Sequence, residues 1–484
     1  MPESKPKGAS MKPRNKSPKS GAANPEPGTA TLGKAGAPVP VFTRPGLAND
    51  NHPRPPAAAN DNDPPPPTTP MAAALARPRQ RLADAVGKPR VDARLFPLPP
   101  RIGRLDEHFF SVELPELNNS VSRGALRAAD FAAAVSARLS PADLGGLVRV
   151  APALDADAAL YVHGALGVIA SSIVRHIRVE TGNDATSAGL ALVAGLEQAL
   201  LALGHVTRLA PRDQEMTSWR IRAPLGPPWT WTGTDGERRF GEAVREAERL
   251  LGGAERLLWP VRAGFVALTH AVAVFDEATA LVLEYRAVQT RLATHPFPAE
   301  FLAMRNFLGA FEVGGVAWPG PNATYAPSWN ALDLAVGLMG EQFHVIARKR
   351  ADNMTPDERA FIEHGIALPS LCVLLAETLH GPPLETLSPA AIDQLVRDLD
   401  RLDVARSIAR LAQATAQLAS VHLAAIHKNL EDPVARMTPE ERKALGVSPE
   451  TGVSSTPLSV TKDLRKARMN HPLVEWLTNY GKRK

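Results

Sequence analysis

Beyond about residue 95, apolar positions recur at helical spacing, and the alternation that marks strands is nearly absent. The spacing predicts helices over about 126–138, 156–179, 186–204, 236–256, 258–293, 298–311, 328–345, 355–364, 368–380 and 389–429, with a closing helix near 458–469. Several starts are legible. "SPAAIDQLV" offers Ser388 as N-cap with Pro389 after it, and "TPDERAF" and "TPEERKAL" use Thr then Pro in the same way. No repeat at solenoid period interrupts the pattern. The class expected is therefore all-α. Two polar and aromatic segments break the helices, "SWRIRAPLGPPWTWTGTDG" (218–236) and "VGGVAWPGPNATYAPSW" (313–329). Such segments, held between long helices, are where sites tend to form.

Composition divides the 484 residues unevenly. About half of the 45 prolines fall in the first hundred residues, in runs such as "NDPPPPTTP". Apolar residues are too sparse there to offset the ordering entropy of a core, so residues 1–95 are expected to be a disordered, basic, Pro-rich tail. Two helical parts follow, 96–235 and 236–484. The Lys-rich start lacks the apolar stretch of a secretion signal, and a single cysteine, Cys372, excludes an internal disulfide. A cytoplasmic location fits both. "ALYVHGALGVIASSIVRHI" is lipophilic, but His163, Gly164 and Arg175 interrupt it; a buried helix is expected rather than a membrane span. The net charge of +5 lies mainly in the tail, so binding of nucleic acid is not expected.

Candidate chemistry begins with "VHLAAIHKNL" (421–430). Val404, Ile408, Leu411, Thr415, Leu418, His422 and Ala425 form one inward stripe, which His427 leaves. Around His422 the residues Ala419, Ser420, Ala424 and Ala425 are small. His422 is then either a hydrogen-bonded core histidine or a metal ligand with room for a flat group beside it. In "FPAEFLAMRNFLGAF" (297–311), Phe301, Met304, Leu308 and Phe311 face inward, and Arg305 borders that face with no carboxylate one turn away. It reads as one half of a tertiary ion pair or as an anchor for an anionic ligand. The glycines that follow permit close backbone approach, with Trp318 and Tyr325 as walls, or form a plain connection. Asp333 shares a face with Trp329 and Val336 and needs a partner if buried.

Taken in order, "LPELNNSVSRGAL", "WTWTGTDGERRFGEAVREAE", "FLAMRNFLGAF", "VGGVAWPGPNATYAPSWNALDLAVG", "HLAAIHKNL" and "ETGVSSTPL" resemble the indoleamine/tryptophan 2,3-dioxygenase superfamily of haem oxygenases, over about residues 95–470. The nearest likeness is to the pyrrolnitrin-pathway branch. The resemblance implies a helical bundle of the indoleamine dioxygenase type binding haem b. His422 would be the iron ligand, and Arg305 and Phe301 would contact substrate together with Gly315, Thr451 and Gly452. It also implies an oxygenase acting on tryptophan or a related aromatic amino acid, with ring cleavage or rearrangement and no side-chain base. Dioxygen and the small aromatic molecule would be its partners, with self-association left open. Two departures stand out. The family arginine three residues before the histidine is Ala419 here, and the second glycine after Thr-Gly is Val453. Rivals are a non-enzymatic haem-binding or interaction protein, and a di-iron oxidase using Glu341, His344, Glu377 and His380, which have i, i+3 spacing. His163 and His270 are fallback ligands.

Overall fold

The computed structural model describes residues 102–182, 187–212, 228–318, 320, 326–380, 403–445 and 458–475. The described chain is helical, as the periodicity predicts, save for one small hairpin. The proposed disordered tail lies outside the described residues.

The helices are α1 (Leu114–Ser122), α2 (Ala128–Arg138), α3 (Pro141–Val150), α4 (Ala156–Thr181), α5 (Leu196–Thr207), α6 (Asp235–Arg262), α7 (Val272–Thr294) and α8 (Pro298–Arg305). After the hairpin of β1 (Phe311–Val313) and β2 (Val316–Trp318) come α9 (Pro327–Val336), α10 (Glu341–Ala351), α11 (Pro356–Ala367), α12 (Leu371–His380) and α13 (Asp403–Ile426). The chain closes with α14 (Asp432–Arg436), α15 (Pro439–Leu445) and α16 (Leu458–Met469). Thr355 and Thr438 cap α11 and α15, accepting from the N–H of Glu358 at 3.4 Å and of Glu441 at 3.1 Å. Each glutamate reaches back to its threonine's own N–H, which satisfies two helix-end donors at once.

Four predicted helices are shorter or divided. In 186–204 the α-helix begins only at Leu196, after Gly195 at φ 91°. The span 258–293 breaks because α6 ends at Arg262, two residues past Pro260, and α7 starts only at Val272. Gly337, at φ 82°, ends α9 and splits 328–345. The span 298–311 stops at Arg305, and Phe311 pairs with Trp318 in the hairpin instead. Gly314 and Gly315 both have positive φ, 63° and 74°, which a two-residue turn between right-twisted strands requires.

Two large cores run through the described chain. The first gathers Phe109, Phe131, Leu166, Ile173, Trp231, Phe301 and Phe307 with the C-terminal end of α13. The second joins α6, α7, α9, α12 and most of α13, with α7 against α13 as the most extensive pairing. Helices α6 and α13 therefore pass from one core to the other, so the cores do not divide at residue 235. Two helical stretches, Ala156–Thr181 and Pro356–Thr378, are long and apolar enough to cross a membrane. In the first, α4, 78% of the apolar window is buried inside the protein, which is the behaviour of a core helix.

Candidate functional site

His422 sits where the two cores meet. One turn before it, Leu418 belongs to the second core; three residues after it, Ala425 belongs to the first. Val288 of α7 packs against both, and the next residue, Gln289, faces the histidine. The Nδ1 of His422 lies 3.3 Å from Gln289 Oε1. At the amide's other end, Nε2 donates to the Tyr285 hydroxyl at 2.7 Å. Trp329 meets the Tyr285 ring edge-on, with ring centres 6.0 Å apart. With the amide oxygen facing His422, the tautomer that donates from Nδ1 carries its lone pair on Nε2.

Among the described residues Nε2 has no hydrogen-bond partner. The ring keeps part of its surface accessible, yet burial lowers its pKa to about 4, with the Arg468 charge adding to the effect. Trp329 lies beside the imidazole, ring centres 5.9 Å apart. His427 turns away, pairs with Glu431 and is substantially exposed.

The partner of Asp333 is Arg468, from the last described helix. Arg468 Nε meets Asp333 Oδ1 at 2.9 Å, and Nη2 bonds Oδ2. The pair is buried, with the carboxylate side chain 1% exposed. The guanidinium also lies 5.6 Å over the Trp329 ring. Thus α16 supplies the cation that Ala419 cannot, from a helix remote in sequence. Its other anchors follow the same register: His471 Nε2 donates to Val336 O at 3.1 Å, and Arg465 Nε donates to Ser420 Oγ at 3.2 Å. Ser420 also contacts Met469. The small residues on this side of α13 therefore make room for α16.

Helix α8 carries Phe301 and Arg305 into the first core. It is tied to the His422 helix through Asn429, whose Oδ1 accepts from Phe297 N at 2.7 Å and whose Nδ2 donates to Leu292 O and Ala425 O. Asn429 is seven residues past His422, about 10 Å along a helix axis. Phe301 is 5% exposed and meets Phe240 edge-on, with ring centres 5.4 Å apart. Arg305 is buried, and desolvation lowers its pKa to about 10, so it stays charged at neutral pH. It is not without a partner in the protein, so a ligand carboxylate would join or displace that partner.

Just beyond, Phe307 stacks on Trp231 at 5.7 Å and lies under the Arg175 guanidinium at 5.1 Å. Here the first two quoted motifs interlock. Asn118 and Asn119 of "LPELNN" donate to the carbonyls of Trp231 and Thr232, and His176 lies 2.8 Å from Asn118 Oδ1. Glu237 accepts from both N–H groups and from the Thr232 hydroxyl, at 2.6–2.8 Å. Burial raises its pKa, against the pull of those bonds.

Other predicted residues fall elsewhere. Gly315 is at the exposed tip of the hairpin, where its role in the turn accounts for its conformation. Thr451, Gly452 and Tyr325 lie outside the described residues. His163 is buried in α4, with Nδ1 3.0 Å from Thr207 Oγ1. His270 is exposed in the connection between α6 and α7, not in an apolar helix. Glu341 and Glu377 are exposed, His344 is half-buried, and the His380 side chain is outside the described set. No three His, Cys, Asp or Glu among the described residues come together as metal ligands, which leaves the di-iron reading without support. Cys372 donates to Val336 O, and burial pushes its thiol up to about 12, a structural thiol rather than a nucleophile.

The residues missed from the sequence are Gln289, Tyr285 and Arg468. Tyr285 and Gln289 are polar tips one turn apart on the buried face of α7, beside Ala278, Leu281, Val282 and Leu292, a signal that was available; Arg468, in a short basic helix, gave none.

The described residues form a helical protein in which His422, its pKa lowered by burial, lies between two cores. The sequence matches no family model, and no curated protein gives a match.

Proposed function

We propose that the protein is a haem-dependent oxygenase of tryptophan or a related aromatic amino acid, related in architecture to the indoleamine dioxygenases its sequence resembles. The observation that carries the reading is the Gln289 amide oxygen 3.3 Å from His422 Nδ1, at a ring set between the two cores. A proximal ligand needs an imidazole whose Nδ1–H is held by an acceptor and whose Nε2 lone pair is free for iron. Gln289 Oε1, which faces Nδ1, would be that acceptor.

Of the residues described, His422 would hold such a group, with Trp329 beside it. Haem bound there would supply the oxygen chemistry; the protein's share is to bind, orient and exclude water. His422 would hold the iron through Nε2, and Gln289 would fix the ring. Arg305 would hold a substrate carboxylate, charged against charge, in a buried setting. Phe301 and Phe240 would pack the aromatic ring and keep water out. No side-chain base is required, because neutral His422 would be committed to the metal. The reading leaves open whether the ring is cleaved or rearranged.

The test is the absorption spectrum of protein expressed with haem supply, wild type beside His422→Ala. A Soret band present in the first and lost in the second is expected. A colourless wild type, or a band unchanged by the substitution, refutes His422 as ligand. A haem protein that consumes no oxygen with any indole is a binder, not an oxygenase.

A further inference from the structure

Glu255 and Arg262 lie two turns apart on α6, and both are buried, at 1% and 2% exposed. They face each other across a gap. Arg262 Nη1 is 3.9 Å from Glu255 Oε1, beyond hydrogen-bond reach. That nitrogen and both carboxylate oxygens have no hydrogen-bond partner among the described residues. The other side of the guanidinium is engaged. Nη2 donates to Gly365 O at 2.6 Å and Leu368 O at 3.1 Å, and Nε donates to Pro369 O at 3.0 Å. Arg262 therefore ties the end of α6 to the link between α11 and α12, where the end of α11 leaves carbonyls open. Pro260 lies between the two residues and removes the N–H that would hold the carbonyl of Arg256, so the turn carrying Arg262 is held less firmly than those before it. Burial outweighs the pull of Arg262 and Arg256 on the Glu255 carboxyl and raises its pKa to about 7. The acids of the surrounding helices are engaged elsewhere: Asp276 and Glu284 of α7 with Arg410 and Arg249, Asp333 of α9 with Arg468, and Glu363 of α11 with Arg348. Two histidines are near this end of α6. His344 of α10 feels the Arg262 charge, and His364 of α11 meets the Trp259 ring edge-on, centres 4.9 Å apart.

We propose that Glu255 and Arg262 form a proton-operated latch on the α11–α12 link, held while Glu255 is protonated and loosened when it ionises. A neutral carboxyl makes little demand on Arg262, which stays with its three carbonyls. An ionised one, buried and unpaired, is costly. Nη1 then closes on it, a movement of about 1 Å to the length of a charge-assisted bond. The guanidinium is a rigid planar fork, so closing on one side lengthens the bonds to Gly365, Leu368 and Pro369 on the other. The link bears on the proposed site through packing: Leu371 and Leu375 of α12 lie in one core with Leu332 and Val336 of α9, the helix that carries Trp329. The latch itself does not depend on haem.

The experiment is hydrogen exchange of the full-length chain at about pH 5.5 and about pH 8.5, either side of the Glu255 transition, with rates corrected for the intrinsic effect of pH. Protection of the amides of residues 366–374 is expected to fall about tenfold or more between the two, with α4 unchanged. Glu255→Gln cannot ionise and should keep the low-pH protection at both values; Glu255→Leu serves if the glutamine variant does not fold. Arg262→Leu should expose the same amides at both values, because the tie itself is gone. His344→Gln should keep the wild-type response, which assigns the titration to Glu255. Wild-type protection that does not change with pH overturns the latch. So does a response that survives in Glu255→Gln, or one that disappears in His344→Gln.

Discussion

Arg468→Leu removes one half of a buried, two-pronged ion pair. Asp333 would remain with its side chain 1% exposed and its only described cation gone. Stranding a charge in that way costs about 3–5 kcal/mol, and loss of the guanidinium over Trp329 adds roughly 0.5–1 kcal/mol. The remaining holds on α16 are each smaller: Arg465 Nε donates to Ser420 Oγ, and Leu464 is buried with residues of α9, α10 and α11. The Lys462–Glu431 pair, at 2.9 Å, has a half-exposed lysine, so it contributes about 1 kcal/mol at most. His471 to Val336 O adds one hydrogen bond, of about 1 kcal/mol. The helix should therefore release locally before the protein unfolds. Hydrogen exchange should show α16 amides of the variant exchanging about a hundred- to a few thousandfold faster, with α4 unchanged. The double variant Asp333→Leu/Arg468→Leu should recover most of the loss, because no charge is left behind. Exchange accelerated less than about tenfold, or a double variant as unstable as the single, would refute the buried-charge reasoning.

Four further outcomes follow from the same geometry. If His422 holds haem as proposed, Gln289→Leu, which removes the oxygen facing its Nδ1, should weaken haem retention about 10–100-fold, read by haem transfer to an apoglobin; unchanged retention would sink the orienting role. Gly236 lies against the Phe297 ring, which a Cβ would strike; Gly236→Ala should cost about 1–3 kcal/mol in a urea melt, and a neutral result would mean α8 slides freely on α6. Burial raises Glu255 from 4.5 to about 7, so the folded state binds the proton more tightly than the unfolded one. Stability should then fall as pH rises from about 4.5 to 7, by roughly 3 kcal/mol, and Glu255→Gln should flatten that slope in melts at a series of pH values. His163 is shifted the other way, from 6.5 to about 4 by burial; its share of stability is complete above pH 6.5 and lost as pH falls toward 4, a loss that His163→Gln should remove.

The legible parts of this molecule are those that local chemistry decides. Thr355 and Thr438 announced their helices because a cap, a proline and a returning glutamate lie within four residues. The inward stripe of α13 was readable because burial repeats every three to four residues, and each aliphatic member is buried. The hairpin was not, because its two strands of three residues are too short for alternation to register; only the paired glycines marked it. The break before α7 was also hidden, since "RAGFVALTH" continues the apolar spacing while the backbone turns.

The site shows the same division more sharply. His422 could be placed on its stripe from the sequence, but not which of its nitrogens faces a partner. That depends on Gln289, 133 residues away in sequence, and on Tyr285 and Trp329 behind it. Likewise, Asp333 demanded a cation that no helical neighbour offers, and the chain answers 135 residues later with Arg468. Charge balance in a buried site is a property of the assembled fold, and any helix that reaches the site can supply it. Here the cation that Asp333 requires comes from Arg468, on another helix. Arg468 should then be sensitive to Asp333 and indifferent to residue 419. Ala419→Ser, a small change at a position 4% exposed, should leave α16 docked, while Asp333→Leu alone should release it.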